Sequence, residues 1–223
     1  MKSGSQHLFT NKDLRKLLIP IMVEQLLSSL MGTIDTMMVS NVGSAAISAV
    51  SLVDSINILV IQALSALAAG GAILCSQYVG SENTQEANRS AGQVLLVMAA
   101  LSTALSVICL VLRDPMLRLI FGKVDADVMS NSRTYFLFTL LSFPFIGLYD
   151  AGASIFRAQN NTRTPMVISV ISNLMNIAGN AVLIFGFDMG VAGAAISTLV
   201  SRIFCAIVVL WPVSYTHLTL PTN

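Results

Sequence analysis

Six times in 223 residues the chain runs apolar for about twenty residues, and this recurrence limits its fold more than any other feature. The runs are Leu17–Val39, Ala49–Cys75, Ala91–Leu112, Tyr135–Phe156, Pro165–Phe187 and Val191–Val213, and the third has no charged residue. At 1.5 Å per residue, about 20 residues of helix cross the roughly 30 Å hydrocarbon core of a bilayer. In lipid the backbone must satisfy its own hydrogen bonds, and continuous hydropathy fits helices where alternation would fit barrel strands. Only 10% of the residues are charged, against about 25% in soluble domains. The expectation is an all-α, polytopic membrane protein with six transmembrane helices.

The net charge of +1 gives no support to nucleic acid or to a polybasic lipid-surface segment as a partner. Cys75, Cys109 and Cys205 lie inside apolar runs without CxxC spacing and read as small buried hydrophobes. No nucleophile–base pair, metal cluster or phosphate loop can be drawn, so neither an enzyme nor a bound cofactor or metal is expected. The first apolar run is too long and too interrupted for a cleavable signal. Lys2, Lys12, Arg15, Lys16, Arg89, Arg157 and Arg163 fall on one side of the spans, and Arg113, Arg118, Lys123 and Arg133 on the other. This bias puts both termini in the cytoplasm. Residues 1–16 then form a cytoplasmic segment ahead of a transmembrane lobe at 17–213.

The first run carries two carboxylates, Glu24 and Asp35, each expensive at the centre of a lipid-facing helix. They are eleven residues apart, and eleven steps of about 100° return to within about 20° of the start. Ser28 falls on the same stripe. This acidic line has to face a protein interior or a water-filled cavity. A carboxylate there can exchange a proton, give oxygen to Na⁺ or pair with a cationic compound.

Several other polar residues are embedded. Asn176 and Asn180 are one turn apart on one face of the fifth run, open either to cation coordination or to interhelical hydrogen bonding. Asp54 sits near the start of the second run and reads as interfacial. Arg202 lies in mid-run and needs a partner, which Asp150 or Glu24 would supply; a structural Arg202–Asp150 ion pair is the first expectation. For Glu24, cavity wall and structural hydrogen bonding are both open. Pro20 frees the carbonyl of Lys16 and permits a bend in helix 1. In RDPMLRLIF (113–121), Met116, Leu117, Leu119 and Ile120 suit a segment lying on the membrane interface. VGSAAISAVS (42–51) and VAGAAISTLVS (191–201) look alike, either as a weak repeat or as small residues suited to the start of a packed span.

A set of stretches in order resembles the multidrug and toxic compound extrusion (MATE) transporters from about Leu14 to Leu210. They are Pro20 followed by IDTMMVSNVG (34–43), SQYVGSEN (76–83), DPMLRLIFG (114–122), FRAQNNTRTPM (156–166), and Asn176 and Asn180 ahead of IFGFDMGVAGAAIST (184–198). The resemblance implies one six-helix lobe of a twelve-helix antiporter of the bacterial plasma (inner) membrane. Such a protein exports amphipathic, often cationic, small molecules in exchange for H⁺ or Na⁺. It implicates Asp35 in ion coupling and Thr198 in lining the cavity, with transient Na⁺ at Asp35 and Asn180. Family members often carry aspartate at the position of Asn180, so proton chemistry here rests more heavily on Asp35. As a half, the chain is expected to need the missing C-terminal lobe or a second copy of itself in a homodimer. Residues 214–223 resemble nothing in the family and read as a disordered or foreign tail. A lipid-linked oligosaccharide flippase is the nearest alternative, set back by having only Arg202 as a cation within a span. A channel or a non-transporting membrane scaffold is the alternative of another class.

Overall fold

The computed structural model describes residues 11–81 and 83–219, with side chains between Leu14 and Trp211. Seven α-helices and one π-helical turn make up the described chain: α1 (Asn11–Ser40), α2 (Ser44–Gly80), α3 (Thr84–Val111), α4 (Arg113–Phe121), α5 (Ala126–Ala158), α6 (Arg163–Asn180), the π turn (Ala181–Gly186) and α7 (Gly190–Thr219). Six spans are long and apolar enough to cross a membrane, with α6 and the π turn counting as one. The end carrying Asn11 is called inner and the opposite end outer, after the charge bias.

Helix α5 is the hub. It packs most extensively on α2, then on α7 and α3. Phe136, Leu140 and Phe143 of α5 are wholly buried among Val39, Val50, Val53, Leu64 and Met98. Helix α1 is peripheral, leaning chiefly on α6. Its Leu18, Ile19, Met22, Leu26 and Leu30 are exposed, a pattern that hydrocarbon rather than water can solvate.

Pro20 in α1 and Pro144 in α5 sit well inside spanning helices without breaking them. A proline lacks the N–H that would bond the carbonyl four residues earlier. In both cases a hydroxyl from a neighbouring segment takes that bond. Thr162 Oγ1 donates to the Lys16 carbonyl at 3.3 Å, and Ser106 Oγ donates to the Leu140 carbonyl at 2.7 Å.

Several boundaries differ from the apolar runs. α2 starts at Ser44, α3 at Thr84 and α5 at Ala126; α3 and α5 open on turns with polar or acidic residues that an apolar run leaves out, and α2 on the small residues Ser44, Ala45 and Ala46. α1 already begins at Asn11, inside the segment expected to precede the lobe; residues 1–10 lie outside the described residues. α7 runs on to Thr219, so residues 214–219 are helical where disorder was expected, since extending a formed helix adds one hydrogen bond per residue without a new nucleus. Residues 220–223 lie outside the described residues. The interfacial segment forms α4, with Leu117 fully buried and Leu119 86% exposed. The two similar stretches open α2 and α7, and Val42 lies against Gly190, whose φ of +56° suits glycine. All three cysteines are buried and free.

Candidate functional site

Asp35 lies five residues before the outer end of α1, half-buried against α6. Asn180 Nδ2 donates to its Oδ1 at 2.6 Å and to Asn176 Oδ1 at 3.1 Å. Asn176 Nδ2 donates to Thr198 Oγ1 at 3.1 Å, and Thr198 donates to the Ala194 carbonyl at 3.0 Å. One polar chain therefore crosses from α1 through α6 to α7. Asn176, Asn180 and Thr198 are buried, while Asp35 alone keeps partial exposure.

The local sequence explains the aim of these side chains. The one-turn spacing of Asn176 and Asn180 stacks both amides on one face. Asn180 is the last α-helical residue before the π turn, where the backbone widens and the regular i→i−4 ladder ends. Helices α6 and α7 approach closely at Gly179, where an added Cβ would collide with Ser197 Oγ. Ser197 Oγ instead donates to the Asn176 carbonyl at 2.9 Å. Asn180 Oδ1 is buried and has no hydrogen-bond partner among the described residues, so an oxygen is left over beside the Asp35 carboxylate.

Glu24 is not part of this chain. It is buried, and its carboxylate receives Arg157 Nη2 at 2.9 and 2.8 Å and Tyr149 Oη at 2.9 Å, both from α5. Tyr149 Oη also lies 3.2 Å from the Pro165 carbonyl. The acidic line of helix 1 thus splits: Asp35 joins a neutral polar chain, whereas Glu24 closes an ion pair. Ser28, between them, is exposed.

The expected Arg202–Asp150 ion pair is not formed. Arg202 Nη1 donates to Ser142 Oγ at 2.6 Å, and Asp150 Oδ2 accepts from Ser65 Oγ at 2.7 Å. The reason is depth: Arg202 meets α5 at Ser142, and Asp150 lies eight residues further along, about 12 Å at helical rise. Arg202 does not pair with Glu24 either, which already holds Arg157. Asp54 lies ten residues into α2, which starts ahead of the apolar run, and it is half-buried. Its Oδ1 accepts from Asn57 Nδ2 and Tyr135 Oη, both at 3.2 Å. Helix α5 also carries Arg133, paired with Asp114 at 3.2 Å, and Arg157, both beyond its apolar run of Tyr135–Phe156.

The sequence gives no sign that Arg157, Tyr149, Tyr135 and Asn57 partner the embedded acids. Arg157 lies beyond the apolar run of α5, and only the full length of that helix puts it opposite Glu24. Among the described residues no group of three or more His, Cys, Asp or Glu is placed to hold a metal ion.

Comparisons with known proteins agree with this architecture. The family model described as MatE matches residues 20–182. The chain is 31% identical over 189 residues to the "Uncharacterized transporter YisQ" of Bacillus subtilis, covering 82% of this chain and 41% of that protein. It is 27% identical over 195 residues to the "Probable multidrug resistance protein NorM" of Thermotoga maritima, covering 86% and 42%. A solved structure described as the outward-facing conformation of a multidrug resistance MATE family transporter superposes with a TM-score of 0.83 at 23% identity, covering 90% of this chain and 44% of that one. That likeness concerns the fold alone. The chain spans about two fifths of the length of the curated relatives it matches.

Proposed function

The chain belongs to the MatE family, and from that membership we propose that it supplies the first lobe of an ion-coupled exporter of amphipathic, often cationic, compounds. The observation that carries the reading is the Asp35–Asn180–Asn176–Thr198 chain, one ionisable group wired to neutral partners amid apolar helices. A carboxylate in such surroundings is costly unless it has work to do or a cation to meet. Around it, Asp35 and Asp54 face only one embedded guanidinium, that of Arg202. Negative charge is left over, the more so because Asp150 is hydrogen-bonded to the Ser65 hydroxyl and not to a cation, and at Asp35 a proton, Na⁺ or a cationic substrate would neutralise it in turn.

On this reading, the coupling ion and the exported compound compete for Asp35. Taking up the ion weakens the hold on a cationic compound, and losing the ion restores it. The lone Oδ1 of Asn180 beside Asp35 supports a Na⁺ arrangement as well as a protonic one, because an amide oxygen ligates a hard cation but carries no proton. We infer that the protein works in the plasma membrane with its termini on the Arg157 and Arg163 side, and with a second lobe completing the cavity.

The test is efflux of a fluorescent organic cation from energised vesicles bearing the complete transporter, under imposed Na⁺ or H⁺ gradients. Asp35→Asn is expected to reduce gradient-driven efflux to background. Undiminished efflux in that variant removes the coupling role. Efflux that answers only the Na⁺ gradient, or only the H⁺ gradient, identifies the ion.

A further inference from the structure

On the outer wall of the bundle, a groove of about 530 Å³ runs between α6 and α7, lined by Val167, Ile168, Ile171, Ile207, Val208 and Trp211, with Arg163 and Thr164 at its inner end. Val167, Ile171, Ile207 and Trp211 are 48, 43, 58 and 77% exposed, so the groove opens outward rather than toward Asp35. From Arg163 to Ile171 is eight residues, about 12 Å at helical rise, close to the depth of one bilayer leaflet. Trp211 stands at the same level as Arg163, the position an indole favours at a membrane interface.

We propose that this groove is a binding site for an anionic phospholipid of the leaflet on the Arg163 side, with one acyl chain along the α6–α7 wall and the phosphate on Arg163. Charge selects the occupant. Arg163 is the only charged residue lining the groove, and it makes no ion pair among the described residues. No carboxylate lines the site, so it does not suit the cationic compounds proposed for the Asp35 side. A guanidinium at the mouth of an apolar slot one leaflet deep matches a molecule with a phosphate at one end and hydrocarbon at the other. The first turn of α6 carries no acidic residue to oppose that phosphate. This site stands apart from the transport reading and holds whether or not the chain exports anything.

The experiment is native mass spectrometry of the purified chain taken from vesicles of equimolar phosphatidylcholine and phosphatidylglycerol. Wild type is expected to retain phosphatidylglycerol over phosphatidylcholine by about fivefold, the preference one guanidinium near the surface confers. Arg163→Gln should abolish the preference, Arg163→Lys should keep most of it, and Val167→Trp, which fills the slot, should reduce retention of both lipids. Both side chains are exposed, and unchanged thermal melting of helical circular dichroism confirms that the variants fold. Equal retention of the two lipids by wild type, an unaltered preference in Arg163→Gln, or undiminished retention in Val167→Trp each overturns the proposal.

Discussion

Helix α1 carries two acids about three turns apart that live by different rules. Glu24 faces a permanent cation, with Arg157 Nη2 shared between its two oxygens and the Tyr149 hydroxyl added. Asp35 faces an amide, Asn180, which can orient a carboxylate but cannot cancel its charge. A buried acid with its own arginine is electrostatically complete and holds structure together. A half-buried acid with only a neutral donor stays open to a mobile cation. Similar sequence context therefore gives one anchor and one candidate working group, and the partner decides which is which.

The contrast should break most visibly at the anchor. Arg157→Leu leaves Glu24 buried without a counter-charge, and the expected loss is about 3 kcal/mol, read from denaturant titration of the chain in detergent. Replacing both partners, Glu24→Met with Arg157→Leu, should recover most of that loss, because two apolar groups strand no charge. If the double variant is as unstable as the single one, the pair is not the anchor described. Asp35→Asn sharpens the other side. It keeps the shape and the amide contact, so its stability is expected within about 1 kcal/mol of wild type.

The next effect is steric. Gly179→Val would push Ser197 away and part α6 from α7, with an expected loss of about 2 kcal/mol as in other overpacked cores. The same variant should loosen the Asn176–Thr198 contact, which faster amide hydrogen exchange at the α6–π junction would report. The smallest effect is expected at Thr162→Val, which removes the bond to the Lys16 carbonyl for about 1 kcal/mol. A neutral result there would mean that the carbonyl finds another donor.

Much of this was legible in the sequence. Hydropathy is a local property, so six spans could be drawn before any packing was known, and one-turn spacing alone placed Asn176 and Asn180 together. The 24-to-35 stripe put two acids on one line of α1, yet it could not say that different helices meet them. Arg157 was hidden because polar residues continue α5 past its apolar part, and apolar runs underestimate helices that project from the membrane. The Arg202–Asp150 pairing failed because opposite charges on facing helices still need matching depth, which depends on where each helix starts. The π turn at Ala181–Gly186 has no residue signature at all.

The hydroxyls that cover the carbonyls below Pro20 and Pro144 have a mechanical consequence. Sliding α5 by one turn against α3 would strand the buried Leu140 carbonyl, at a cost of several kcal/mol, and sliding α1 would give up the Thr162 bond to Lys16 for about 1 kcal/mol. Proline is usually taken as a joint in a membrane helix. Here each one is equally a notch, fixing the height at which two rods engage, so that any rocking of α1 has to pivot about the Thr162 contact or unseat it.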